Sequence, residues 1–188
     1  MRCLLCESFS LSHICNSCQE LYLTPKIHKQ KILNIDVISF YKYDDIKELL
    51  HTKHTDLGYY IYKILAKNSF EKFAKEFNYT HKLVSIPIDD HIENGYSHTA
   101  ILNKALKSKH IKPIYAKLRG TNRISYSGKS KQFRILNPRN FKLKKFKENE
   151  VILVDDIITT GLTLSQAIQT LELNKKSIAF CLTLASIK

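Results

Sequence analysis

Long hydrophobic runs are absent from this sequence of 188 residues. No stretch approaches the roughly 18 consecutive apolar residues of a transmembrane helix. The first residues, Met1 to Cys6, contain no apolar segment of the length found in secretory signal peptides. Internal repeats and low-complexity tracts are absent too, and hydrophobic residues make up 44% of the chain. We therefore expect a cytoplasmic protein with a sizeable hydrophobic core.

Acidic residues are missing from one long stretch, which we call the acid-free segment. No Asp or Glu lies between Asn94 and Lys147, and these 54 residues hold 15 of the 30 Lys and Arg residues. The formal net charge of the whole chain is +13. A basic charge of this kind favours nucleic acid, polyphosphates or an anionic membrane surface as a partner. A solvated basic face is the alternative, but the length of the segment favours an anion-binding surface.

The order of predicted elements indicates an α/β fold. Strands are predicted at Ile35–Tyr43, Leu83–Ile88, Ile114–Ala116, Val151–Asp155 and Ser177–Leu184, and helices at Asp44–Lys53, residues 57–77, Ser97–Lys109 and Leu162–Leu173. Residues 119–140 are polar, basic and without periodicity, so a long loop is expected there. Because strands alternate with helices, the sequence predicts a parallel sheet flanked by helices on both faces.

Three sections of different composition divide the chain. Residues 1–24 carry four of the five cysteines, residues 25–34 are basic and polar, and residues 35–188 contain the alternating strands and helices. We expect these sections to be a small cysteine module, a linker and the α/β domain.

The cysteines of the first section have the spacing of a metal site. Two CxxC pairs, Cys3 with Cys6 and Cys15 with Cys18, are separated by eight residues. Four thiolates at this spacing favour a closed, structural Zn²⁺ site of tetrahedral geometry. Two disulfides are the alternative, which a reducing cytoplasm disfavours, and four unligated thiols are a further one. Cys181 lies in an apolar strand and is expected to be a buried thiol.

Residues Val151 to Thr163 contain the strongest chemical motif. An apolar strand ends in Asp155 and Asp156, a turn with two threonines and a glycine follows, and then a helix begins. Ligands of open parallel sheets bind at the carboxyl ends of the strands, and a helix N-terminus attracts phosphate. Two carboxylates beside such a site are explained if they hold sugar hydroxyls and a divalent metal. Helix capping by one Asp is the simpler alternative.

This motif resembles the phosphoribosyl pyrophosphate (PRPP) site of type I phosphoribosyltransferases. The resemblance implies that Asp155 and Asp156 hold the ribose hydroxyls and that Mg²⁺ accompanies PRPP. It also implies a 5-phosphate site formed by Thr159, Thr160, Gly161, Leu162 and Thr163.

The wider order of motifs resembles the competence protein ComF family along nearly the whole chain. Four cysteines precede the domain, Ser85 to Ile88 is followed by Gly95-Tyr96-Ser97, and Arg139-Asn140 lies further on. Lys53 resembles a lysine that the family has after its first helix. The family's Arg-Gly-Phe-Asn-Gln stands here as Asn94 to His98, so an arginine that could contact pyrophosphate is missing. The resemblance implies a role in natural transformation, with incoming single-stranded DNA and other DNA-uptake proteins at the inner face of the membrane as partners.

Two main functions remain open from the sequence. One is a single-stranded nucleic-acid binder that uses PRPP, because cations bind the backbone and aromatic rings stack on bases. Its candidate residues are Arg119, Arg123, Tyr126, Lys129, Lys131, Phe133 and Arg134. The other is an active phosphoribosyltransferase with an unidentified acceptor. No general base is evident, and His91 and His98 are expected to be ordinary surface residues. Association with a membrane surface through the basic segment ranks last.

Overall fold

A computed structural model describes residues 1–89, 91–92, 95–122 and 130–187, with the side chains of residues 54 and 131 left out. The helices are α1 (Asn16–Tyr22), α2 (Tyr43–His51), α3 (Asp56–Ala66), α4 (Lys72–Glu76), α5 (His98–Ala105), α6 (Lys131–Leu136) and α7 (Leu162–Leu173). A 3-10 turn, Thr52–His54, follows α2, and a π-helical turn, Lys67–Glu71, joins α3 to α4. The strands are β1 (His28–Ile32), β2 (Ile35–Lys42), β3 (Leu83–Pro87), β4 (Ile111–Pro113), β5 (Leu118–Gly120), β6 (Phe141–Leu143), β7 (Glu150–Ile158) and β8 (Ser177–Ser186).

Six strands form one sheet in the order β1-β2-β8-β7-β3-β4. All neighbouring pairs are parallel except the hairpin of β1 and β2. Strands β5 and β6 pair separately and antiparallel. The predicted fold class, a mostly parallel sheet flanked by helices, is therefore confirmed.

Both faces of the sheet are covered, and alternate residues of β7 point to opposite sides. Ile152 and Val154 belong to the core shared with α2, α3 and α5, whereas Val151 and Leu153 belong to the core under α7. All four are fully buried. Strand β7 is thus fixed between β3 and β8, and the position of its carboxyl end is fixed with it.

The cysteine module packs on the larger domain. Cys3, Ile14 and Leu23 share one buried cluster with residues of β2 and α3. The buried Tyr41 hydroxyl donates to the Leu23 carbonyl at 2.8 Å. The amide of Asn68 donates to the Gln19 side chain at 2.9 Å. The two sections therefore share apolar and polar contacts.

The segment expected to be a linker contains strand β1, and this expectation was wrong for residues 28–32. The strand lies at the sheet edge, and its half-buried residues alternate with exposed ones. Because the exposed positions are lysines, the sequence lacks the hydrophobic residues by which a strand is usually recognised. Leu33 and Asn34, both with positive φ (48° and 66°), close the hairpin to β2. Positive φ at both central residues is typical of the tight turns that join paired strands.

Two other expectations were wrong in detail. The strand expected at Ile114–Ala116 lies three residues earlier, at β4, where Pro113 is tolerated because β4 is an edge strand. The long loop expected at residues 119–140 contains α6, which begins where the Ser130 hydroxyl accepts from the Phe133 amide at 3.2 Å. In the described part of the chain, no helix has both the length and the apolar character needed to cross a bilayer.

Candidate functional site

Strand β7 ends in the two carboxylates that the sequence singles out, Asp155 and Asp156. Each residue is only 8% exposed. Local backbone donors orient both side chains: the Asp156 amide donates to Asp155 Oδ1 at 2.9 Å, and the Ile157 amide donates to Asp156 Oδ1 at 2.8 Å. We call these residues the carboxylate pair. Two buried acids side by side would repel each other if both were ionised, so their surroundings determine their charge.

Two basic side chains from distant parts of the chain contact Asp156. Lys53 Nζ donates to Asp156 Oδ2 at 3.0 Å, and His98 Nε2 lies 3.4 Å from the same oxygen. Both are partly buried, with 20% and 26% of their side chains exposed. The Tyr96 hydroxyl donates to the Lys53 carbonyl at 2.7 Å. This hydrogen bond connects the 3-10 turn that carries Lys53 to the residues just before α5. The expectation that His98 is an ordinary surface residue was wrong.

These surroundings shift the pKa values of the two acids in opposite directions. Burial raises the pKa of Asp155, and the neighbouring charge of Asp156 raises it further. Burial also disfavours the charge of Asp156, but Lys53 and His98 outweigh it and hold the pKa of Asp156 below its usual range. The charge of Asp156 in turn raises the pKa of Lys53. The two pKa shifts have opposite directions, so the negative charge of the pair is held preferentially on Asp156.

A threonine-glycine turn, Thr159 to Gly161, joins the carboxylate pair to α7. Gly161 has φ 75° and precedes the first helical residue, Leu162. A side chain at this position would be strained by the backbone and would also meet the side chain of Ile32. The turn opens at the N-terminus of a 12-residue helix, where backbone N–H groups and the helix dipole favour an anion. Thr163 lies in the first turn of that helix.

Arg134 contacts the threonine-glycine turn. Its Nη1 donates to Thr159 Oγ1 at 2.6 Å. The sequence assigns Arg134 to a nucleic-acid surface, and the structure places it next to the expected phosphate site. Arg119, on β5 and paired in register with Lys142, and the half-buried Phe133 of α6 lie elsewhere in the acid-free segment. Arg123, Tyr126 and Lys129 lie outside the described residues, as does the side chain of Lys131.

A second polar cluster, which the sequence analysis missed, lies beyond the end of β3. Asp89 accepts from the Gly120 amide at 3.0 Å, and its carboxylate lies 3.1 Å from His91 and 3.5 Å from Arg139. This cluster ties the main sheet to β5. His91 therefore has a structural contact and is only partly exposed. Gly120 and Arg139 lie about 30 and 50 positions beyond Asp89, so no local sequence signal identifies these two contacts.

The four cysteines of the first section come together. Their sulfur atoms all lie within 4.8 Å of one another and can hold a metal ion. Cys6 and Cys15 sulfurs are 3.7 Å apart, which is far longer than the roughly 2.05 Å of a disulfide. Backbone amides of Cys15 and Leu5 donate to Cys3 Sγ at 3.3 and 3.5 Å. Cys181 is buried and unpaired, and burial raises the pKa of its thiol to about 12.

Comparison with known proteins gives matches among solved structures. No family model and no curated protein matches the chain. A hypoxanthine phosphoribosyltransferase from Staphylococcus aureus is 18% identical, with 66% of this chain and 62% of that chain covered and a TM-score of 0.40. An adenine phosphoribosyltransferase is 16% identical, with 89% and 88% covered and a TM-score of 0.40. An orotate phosphoribosyltransferase from Aeropyrum pernix is 15% identical, with 90% and 80% covered and a TM-score of 0.37. Similarity at this level does not assign an activity to the chain. An activity has to be argued from the residues of the site.

The opposite environments of the two acids predict opposite effects of amide substitutions on stability. Because the pKa of Asp155 is raised in the folded state, this residue stabilises the fold below about pH 3.9, the usual pKa of an aspartate. That stabilisation is lost as the pH rises through the folded-state pKa. Asp155→Asn should therefore raise the free energy of unfolding at pH 7. The lowered pKa of Asp156 gives stability above about pH 3.9 that is lost only as the pH falls through the folded-state pKa. Asp156→Asn should lower stability by about 1.5–3 kcal/mol, because Lys53 loses a charged hydrogen-bond partner.

Urea denaturation of the parent and both variants, from about pH 4, the usual pKa of the carboxyl group, up to pH 8, measures these effects. The parent should lose stability as the pH rises through the folded-state pKa of Asp155, and Asp155→Asn should remove that slope. Equal destabilisation by the two substitutions at pH 7 would contradict the assignment of the charge to Asp156.

Proposed function

We propose that the protein binds PRPP through the carboxylate pair and the threonine-glycine turn. The observation that carries this proposal is the buried pair Asp155 and Asp156 at the end of β7, followed directly by a turn that opens at the N-terminus of α7. The carboxylates would accept hydrogen bonds from the ribose hydroxyls, and the backbone amides of the turn would receive the 5-phosphate. Thr159, Thr160 and Thr163 would add hydroxyl donors.

Mg²⁺ would enter this site with PRPP. Asp156, the more acidic of the two carboxylates, is already paired with Lys53, so the protein offers few oxygen ligands of its own. Mg²⁺ binds through one or two carboxylates together with substrate phosphates and waters. When bound, it would neutralise the charge of the pyrophosphate group.

The resemblance to the ComF family adds a biological role to this proposal. In that role, the protein handles single-stranded DNA that enters the cytoplasm during natural transformation. The support is the order of motifs together with the charge of the acid-free segment. Arg119 and the exposed Lys142 lie next to each other on the β5-β6 pair and would contribute to the nucleic-acid surface.

An active phosphoribosyltransferase is the second candidate function. His98, within 3.4 Å of Asp156, is a titratable group beside the proposed ribose site and favours this reading. In such a reaction a nucleophile of the acceptor displaces pyrophosphate from the sugar. Release of pyrophosphate from Mg²⁺-PRPP only when a nucleobase or an oligonucleotide is added distinguishes turnover from binding alone.

We further propose that the four cysteines hold one structural Zn²⁺ ion. The donor set fits, because four thiolates satisfy tetrahedral zinc and leave no open position for catalysis. Because Cys3 and Ile14 are buried in the same cluster as residues of the α/β domain, loss of the metal should destabilise both parts.

The zinc proposal predicts about one zinc per chain by elemental analysis, as expected for a closed four-cysteine site. Cys18→Ser should lose the metal and lower the unfolding midpoint by at least about 4 °C, equivalent to 1–2 kcal/mol in a chain of this size. Cys181→Ala is the matched control because it removes a buried thiol outside the cluster, and it should retain the zinc. Retention of a full equivalent of zinc by Cys18→Ser would contradict the proposed ligand set.

The PRPP proposal predicts a rise in the unfolding midpoint with Mg²⁺-PRPP. Ligand at 100 times its dissociation constant stabilises by about 2.7 kcal/mol, which corresponds to roughly 5–10 °C in a chain of this size. The double variant Asp155→Asn/Asp156→Asn should show no shift, because its amides replace the carboxylates that accept from the ribose. An equal shift in the parent and the double variant would place the ligand elsewhere.

The nucleic-acid proposal predicts steep salt dependence of oligonucleotide binding. Each phosphate contact to a single strand contributes about −0.7 to the slope of log affinity against log salt concentration. Arg119→Ala should reduce that slope by about 0.7. Lys31→Ala, an exposed lysine outside the acid-free segment, should leave it unchanged. Affinity that barely changes between low and physiological salt would contradict a basic backbone-binding surface.

A further inference from the structure

Arg134 is carried by helix α6, which is stabilised by hydrogen bonds within the helix and at its two ends. The Ser130 hydroxyl caps the helix, and the Arg134 amide donates to the Ser130 carbonyl at 3.2 Å. At the other end, the Asn137 side chain donates to the Phe133 carbonyl at 2.9 Å. The position of the Arg134 side chain therefore depends on a short ordered helix and on its caps.

The chain beyond α6 is tied to the same helix that forms the turn. The Arg139 amide donates to Gln166 Oε1 at 2.9 Å, and Gln166 lies on α7. The Arg139 carbonyl accepts from the Thr121 amide at 3.0 Å, which connects this point to β5. The segment that carries Arg134 is thus attached to α7 at Arg139, five residues after Arg134. This attachment keeps Arg134 close to Thr159.

The charges at the two ends of the proposed site differ. The cation nearest the carboxylate pair, Lys53, is engaged with Asp156 at 3.0 Å. At the other end, Thr159 and Thr160 offer neutral hydroxyls, and a helix N-terminus supplies about half a positive charge. A phosphate monoester carries about −1.5 to −2 at neutral pH. The guanidinium of Arg134, 2.6 Å from Thr159 Oγ1, supplies a full charge at this end.

We propose that Arg134 is a ligand of the 5-phosphate of PRPP and that its contact with Thr159 marks its position before the phosphate binds. A planar guanidinium donates two parallel hydrogen bonds to phosphate oxygens, which a lysine cannot reproduce. The inference rests on the proposed function and gives Arg134 a role different from the nucleic-acid surface of the acid-free segment. It makes α6 part of the small-molecule site.

Isothermal titration with ribose 5-phosphate and, separately, with Mg²⁺-pyrophosphate tests this proposal. Arg134→Ala should weaken ribose 5-phosphate binding at least tenfold and leave pyrophosphate binding unchanged, and Arg134→Lys should recover only part of the loss. Lys142→Ala is the matched control, because it removes one exposed cation of the same segment from β6. It should leave ribose 5-phosphate binding unchanged and weaken binding of a single-stranded oligonucleotide instead.

The outcomes separate this inference from the function on which it rests. If the parent binds neither PRPP nor ribose 5-phosphate, both fail. If the parent binds ribose 5-phosphate and Arg134→Ala binds it equally well, only the role of Arg134 is overturned. The same conclusion follows if Arg134→Ala loses oligonucleotide affinity alone. Circular dichroism of the variants shows whether they remain folded, and retained pyrophosphate binding by Arg134→Ala provides a second check of its integrity.

Discussion

The ion pair between Lys53 and Asp156 is the interaction on which the rest of the site depends. Two adjacent buried carboxylates cannot both be ionised without a counter-charge. Lys53, 3.0 Å from Asp156, supplies it from the turn after α2, and His98 adds to it from the start of α5. Because these groups come from three parts of the chain, the site exists only when the α2–α3 connection, α5 and β7 are packed together. The stability of the fold and the charge of the site are therefore coupled.

The sheet gives this arrangement its rigidity. Strand β7 is buried on both faces, and its neighbours β3 and β8 hold it on both sides. The carboxylate pair therefore lies at a fixed edge, with α7 beginning immediately beyond it. The segment that carries Arg134 is anchored to the same helix through Gln166. One end of the site is thus set by the core and the other by a tethered surface helix. This division fits a ligand with a sugar at one end and a phosphate at the other.

The local motifs were predictable from the sequence, and the long-range contacts were not. Asp155, Asp156 and the threonine-glycine turn follow an apolar strand directly, and the four cysteines have zinc-site spacing, so periodicity and spacing identified both. Strand β1 was not predicted because its lysines face solvent at a sheet edge. Helix α6 was not predicted because its six residues are too few to show helical periodicity. His98 and Arg134 act through partners 58 and 25 positions away. Such pairings depend on tertiary structure, and a single sequence does not encode them in local spacing.

A phosphorus NMR titration of PRPP with the protein in the presence of Mg²⁺ tests the central claim most directly, because it resolves the 5-phosphate from the two phosphates of the pyrophosphate group. We predict that the 5-phosphate resonance shifts and saturates with the parent protein. With Asp155→Asn/Asp156→Asn, it should not shift. A titration in which the pyrophosphate resonances alone respond, or in which the parent and the variant give the same shifts, would contradict a ribose 5-phosphate site at the end of β7.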